Sequence, residues 1–264
     1  SGWTDSDGPL ADDITVSSIQ ESANFGLTEI NNSAVDFHLQ FALASTTSGL
    51  SDAITGTLSG ANAGFVNIQT ASGTTNGFET LSLVSSGSSA NTLTGITQTN
   101  GTTMATLNIS GAQALTLNTI PNTILTVDGA TMTGALQLGT GTSTADYAAF
   151  ATANLNNITG GTGNDTFIFA GTFDANDFDA SGEALNGGTG TLDVFQATFA
   201  ATIGTGLRLS GIEELRWNAT ANAVSVNLTG VTGLSTATIE CDGTGNTGFT
   251  LLNIAGTPLP ALAF

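Results

Sequence analysis

Lysine is absent from this 264-residue chain, and Arg208 and Arg216 are the only basic residues against 21 acidic ones, a formal charge of -19. Such an excess repels phosphate backbones and anionic membrane surfaces, which excludes nucleic acid as a partner and favours cations. The lone cysteine, Cys241, rules out an internal disulfide and reads as a buried structural thiol. His38 is the only histidine, so the paired histidines of a zinc-protease helix cannot be assembled. No Gly-x-Ser-x-Gly occurs, so a nucleophile elbow is missing, and a lyase that takes its proton with lysine has none to use. Paired carboxylates for glycoside hydrolysis stay open, because Asp and Glu are plentiful. No apolar run reaches eighteen residues, so no membrane-inserted helix is predicted.

What remains is Gly, Thr, Ser, Asn and apolar residues, with charge placed unevenly. Between Ala53 and Val127 the only charged residue is Glu79, whereas Asp165, Asp174, Asp177, Asp179, Glu183 and Asp193 crowd one region. Polar-neutral sequence of this kind suits stacked β structure more than a helical globule. One cysteine and no lysine fit an extracellular protein stabilised by metal and by lattice contacts. The chain opens at Ser1 with neither methionine nor a signal-peptide pattern, which reads as a processed product or a part of something larger. Residues 259–264 are short and apolar, and fit either an uncleaved C-terminal secretion signal or an ordinary tail.

Strands can be read directly. In residues 33–44, Val35, Phe37, Leu39, Phe41 and Leu43 alternate with polar or small residues, which predicts one buried face and puts His38 on the other. His38 there reads as a solvated or hydrogen-bonded strand histidine, not as a ligand or base. From Phe65 onward, apolar pairs two apart recur: Val66 and Ile68, Leu81 and Leu83, Leu107 and Ile109, Leu115 and Leu117, Leu125 and Val127, Leu136 and Leu138. The last four begin eight, ten and eleven residues apart, which leaves no room for an intervening helix. A sandwich and a solenoid both satisfy this spacing. A weak repeat favours the solenoid: Gly77-Phe78-Glu79-Thr80-Leu81 precedes one series of strands and Gly211-Ile212-Glu213-Glu214-Leu215 a second.

Between the two series, Gly160-Gly161-Thr162-Gly163-Asn164-Asp165-Thr166-Phe167-Ile168 matches the Gly-Gly-x-Gly-x-Asp-x-apolar-x nonapeptide of calcium-binding parallel β-rolls. Glycines let the turn adopt angles closed to other residues and present carbonyl oxygens, while a carboxylate supplies hard oxygen for Ca²⁺. The alternative is a β-turn capped by the Asp. Residues 184–195 repeat the pattern with one extra residue between Gly190 and Asp193. Near the start, Asp5, Asp7, Asp12 and Asp13 have carboxylate spacing that suits either a calcium loop or a solvated acidic loop. Arg216, close to Glu214 and Trp217, reads as a surface ion pair or a lattice contact.

With these motifs, the stretch from about residue 65 to 249 resembles the RTX-containing surface-layer proteins of bacteria, which are secreted by type I machinery and form calcium-dependent paracrystalline sheets. The resemblance rests on residues 158–169, on the approach from Asn186 to Asp193, on the two Gly-apolar-Glu-x-Leu signatures, and on the run from Leu107 to Leu117. It implies an all-β, right-handed parallel solenoid with a smaller N-terminal β region. Its segments would be an acidic N-terminal region (1–52), a first solenoid series (53–156), an RTX-like calcium segment (157–196) and a second series (197–264). It also implies that Asp165 binds Ca²⁺ with oxygens of Gly161 and Gly163 in the turn that carries Asn164, and that Asp193 does the like with Gly188 and Gly190. Because the two copies begin 27 residues apart, further ligands are expected from Asp174, Asp177 or Asp179.

The function expected is that of a secreted structural protein of the bacterial cell surface, not an enzyme, whose partners are copies of itself, with a cell-surface polysaccharide as a further candidate. The alternative is a spacer or binding segment of a calcium-stiffened RTX adhesin, and beyond that a solenoid polysaccharide-modifying enzyme. Threonine rows that bind ice are a further variant, although the Thr-x-Thr triplets are irregularly spaced.

Overall fold

The computed structural model describes residues 3–4, 13–20, 23–41, 51–70, 77–99, 104–139, 157–173, 178, 183–199, 202–204, 206–219, 224–240, 249–254 and 261–263. Among them the chain is all β, and the helix-free spacing of the apolar pairs is realised as a parallel solenoid. Successive strands alternate between two sheets. The larger, 13-stranded sheet runs from Ile14–Ile19 through Phe37–Phe41, Asn62–Gln69, Asn91–Thr99, Leu115–Leu117, Leu136–Leu138, Thr166–Phe173, Val194–Phe199, Glu214–Ala219 and Thr236–Glu240 to Ala261–Ala263. The facing sheet has eight strands, in order Phe25–Thr28, Ala53–Ser59, Thr80–Ser86, Thr106–Gly111, Thr126–Met132, Asn157–Thr159, Ala184–Asn186 and Leu209–Ser210. Val224–Asn227 and Phe249–Leu252 form a further parallel pair. Among the described strands only Trp3–Thr4 pairs antiparallel, on Ile14–Ile19.

Each coil therefore contributes one strand to each sheet, and register turns scattered apolar residues into columns. On the eight-stranded sheet Ile54, Leu81, Leu107, Val127, Ile158, Leu185 and Leu209 follow one another in register, all buried. On the larger sheet Ala63, Leu93, Leu117, Leu138, Phe167, Phe195, Leu215 and Ala237 do the same. The two columns face each other, because side chains alternate along a strand and only one face of each sheet looks inward. Aromatic rings thicken the core beside the glycine-rich coils: Phe169 meets Phe195 at 5.3 Å and Phe178 at 5.6 Å between centroids.

Two local expectations shift. The strand predicted at 33–44 begins at Phe37, because Asn32 holds a turn before it: Asn32 Oδ1 accepts the Ala34 N–H at 3.0 Å and its carbonyl accepts that of Val35 at 3.2 Å; Phe37–Phe41 is its described part, and Leu43 lies outside the described residues. Phe37, Leu39 and Phe41 are buried, with His38 on the outer face as expected. Leu125 is not part of a buried pair; it precedes its strand and is 40% exposed, leaving Val127 as the inward residue. The eight- to eleven-residue spacing proves to be half a coil, since Leu107 pairs with Val127 and Leu115 with Leu136 one coil on.

Phe195 has no solvent exposure and sits mid-column. Phe195→Ala is expected to lower stability by about 3–5 kcal/mol, read as a fall in the urea midpoint with an unchanged slope.

Candidate metal centre

A parallel solenoid turns a corner between its two strands, and at that corner backbone amides leave the sheet ladder. Four successive corners stack along one edge: residues 133–135, 160–165, 187–193 and 211–213, each lying between a strand of the eight-stranded sheet and the strand that follows it in the other. The last residues of the later three, Asp165, Asp193 and Glu213, form a column in register with Leu136, the first strand residue after the first corner. In it each carboxylate reaches back one coil. Asp165 Oδ1 accepts the Leu136 N–H, Asp193 Oδ1 accepts that of Asp165, and Glu213 Oε2 accepts that of Asp193, all at 2.7 Å. Asp165 Oδ2 also takes the Gly161 N–H of its own turn, at 2.7 Å. Both oxygens of the first motif aspartate thus accept amides, the bonds that a turn-capping aspartate makes.

The glycines are required by packing. Across the stacked turns, a Cβ on Gly161 would strike the Met132 carbonyl, one on Gly188 that of Gly161, and one on Gly190 that of Gly163. Gly188 also has φ of +108°, which side-chain-bearing residues rarely adopt. The Gly161 carbonyl points along the stack and accepts the Thr189 N–H at 3.0 Å. Asn164 lies at the surface, where its Oδ1 accepts the N–H of Thr191 at 3.0 Å and of Leu192 at 3.2 Å. Those two residues contain the extra position of the second copy. It is absorbed there: Asn157 registers with Ala184 before the turn, while Thr166 registers with Val194 after it, one residue further on.

Asp193 differs from Asp165. It is fully buried, yet its Oδ2 has no hydrogen-bond partner. Its carboxylate nests in its own turn, where a Cβ on Gly187 would come within 2.9 Å of Oδ2 and one on Gly190 within 2.5 Å of Oδ1. Burial raises Asp193 to about 6, and the like charges of Asp165 and Glu213 add to the rise against the hydrogen bond from the Asp165 amide. Burial also raises Asp165, against the amides of Leu136 and Gly161. An unpartnered buried oxygen, a glycine cradle and crowded carboxylates fit a hard cation at Asp193. Among the described residues no three His, Cys, Asp or Glu side chains converge on one point, so backbone or water oxygens would have to complete such a site.

Of the other expected ligands, Asp5, Asp7, Asp12, Asp174, Asp177 and Asp179 lie outside the described residues, as does Cys241. Asp13 is held elsewhere: Oδ1 accepts the Asp36 N–H at 3.3 Å and Oδ2 lies 3.5 Å from His38 Nε2. Arg216 makes a two-pronged pair with Glu214 on the outer face, at 2.7 and 3.0 Å. Glu213 was not among the expected ligands, although the Gly-apolar-Glu-x-Leu signature had marked its position. The signature is a corner device. Glu79 Oε2 accepts the Asp52 N–H at 2.7 Å and the Glu79 and Thr80 amides bond the Asp52 carbonyl, the same wiring that joins Glu213 to Asp193. Comparison of the chain with protein-family models, curated proteins and solved structures found no match.

The raised Asp193 gives a signed pH dependence. Its folded value of about 6 lies above the ordinary aspartate value of 3.8, so the folded state binds the proton more tightly. With chelator present, this group's contribution to stability should rise as pH falls through 6 and level off below 3.8. Urea titrations at stepped pH are expected to show that gain in the native chain and to lose it in Asp193→Asn.

Proposed function

We propose that this chain is a calcium-binding structural module of a bacterial cell surface, secreted and assembled into an array of its own copies. The observation that carries the proposal is where the core is left incompletely covered. Among the described residues, nearly all the partly buried core hydrophobics lie at the two ends of the stack: Ile14, Val16, Ile19, Phe25 and Ile30 at one, Leu234, Leu251 and Ile254 in the last coils, with Ile120 the exception between them. At the first end they help line a cavity of about 460 Å³ with Phe37, Leu39 and Phe41. A solenoid is periodic, so each end offers what another coil would cover, and head-to-tail contact between copies covers both.

Acidity governs when such contact can form. At -19 the copies repel one another, and divalent cations lower that repulsion. The residues that would hold such an ion begin with Asp193; when bound, Ca²⁺ supplies positive charge inside the corner and ties neighbouring coils together.

Light scattering and negative-stain microscopy test this on the purified chain, first in chelator and then in millimolar Ca²⁺. Ordered sheets or filaments are expected only with Ca²⁺, dissolving again on chelation. A chain that remains monomeric in Ca²⁺ would refute the assembly function.

A further inference from the structure

The glycine motif suggests an ion at Asp165 in the first copy, but the geometry places the open valence one coil further on. Asp165 has both carboxylate oxygens on amides, at 2.7 Å each. Asp193 is fully buried with one oxygen on an amide and the other on nothing. The next acidic side chain in the column is Glu213, which crosses from the following coil to cap the Asp193 amide at 2.7 Å. Its Oε1 lies toward Gly233, where a Cβ would stand 3.4 Å away and φ is +92°. Gly233 thus stands beside this carboxylate as Gly187 and Gly190 stand beside that of Asp193, so glycine backbone faces both acids.

We propose that Asp193 and Glu213, from two successive coils, are the carboxylate ligands of one hard divalent cation, and that Asp165 is a backbone clamp rather than a ligand. The assignment rests on the calcium-binding function proposed above and moves its site. Two carboxylates suit a Ca²⁺-sized ion, since hard oxygen ligands bind it and charge count sets its affinity. A ligand pair drawn from two coils also explains how one ion could stiffen the stack, because it would tie residues 187–193 to residues 211–213. The equivalent pair at the other end, Asp52 and Glu79, has the same amide-to-carboxylate wiring, but Asp52 is only half-buried. It serves as an internal control.

The test is thermal unfolding and calcium titration calorimetry of the full chain, in chelator and in excess Ca²⁺. The native chain should melt higher in Ca²⁺. Glu213→Gln and Asp193→Asn should each lose that rise, with affinity falling about tenfold to a hundredfold or more. Asp165→Asn and Glu79→Gln should melt lower in both conditions yet keep the rise. Circular dichroism in chelator confirms that each variant is folded, and Glu213→Gln, whose side chain is only partly buried, serves if Asp193→Asn does not fold. A rise that survives in Glu213→Gln, or that disappears in Asp165→Asn, would overturn the assignment while leaving calcium binding intact. If the native chain itself shows no rise, calcium binding and this site fail together.

Discussion

The hydrogen bond from a corner amide to a carboxylate one coil further on is the contact on which this stack depends. Within each sheet the backbone satisfies itself through parallel ladders, but at the corner the chain changes direction and the amide of the last turn residue faces the next coil. Water cannot serve it there, because Asp165 and Asp193 are without solvent exposure. A carboxylate supplies the acceptor, and a bond to a charged group contributes about 1.5–3 kcal/mol. The chain from Leu136 through Asp165 and Asp193 to Glu213 repeats this link at one distance, 2.7 Å.

The device has a consequence built into it. Each added carboxylate satisfies an amide but brings another negative charge into a low-dielectric edge, so like charges accumulate along the stack. Burial and the charges of Asp165 and Glu213 both act on Asp193, and both oppose its ionisation. Glycine makes the arrangement possible, since only a residue without Cβ lets the turns approach until carbonyls of one coil touch the Cα atoms of the next. The aspartates and glycines of the motif therefore have a packing role that holds whether or not an ion is bound.

The core has a different logic. It is narrow, built from columns in which each buried residue rests on its equivalents in the coils before and after, so every interior coil is covered on both sides. Toward the two ends the described core residues are less completely covered, although Trp3–Thr4 pairs on Ile14–Ile19 at the first. Ile14, Val16, Phe25, Leu234 and Leu251 are only partly buried there, while the columns between them are closed.

Much of the fold was legible in the residues themselves. Alternation in Leu81 and Leu83, or Leu115 and Leu117, is a local property of a strand with one buried face, and the absence of lysine and the nine-residue glycine pattern are equally local. Strand existence, the all-β class and a tight acidic corner follow from such features, whereas parallel stacking was expected from the weak repeat and the family resemblance, since a sandwich satisfies the same spacing. The partners of the corner residues do not. Whether Asp165 meets an amide or an open space depends on which coil lies above it, and that depends on coil lengths that change from 20 residues between Leu107 and Val127 to 28 between Thr166 and Val194. Asn164 absorbing the extra residue and Glu213 reaching Asp193 are products of that register. The sequence determined the periodicity of each strand, because side-chain alternation is a short-range property; only the tertiary structure decided which carboxylate was occupied and which was left open, because that is set by contacts between coils.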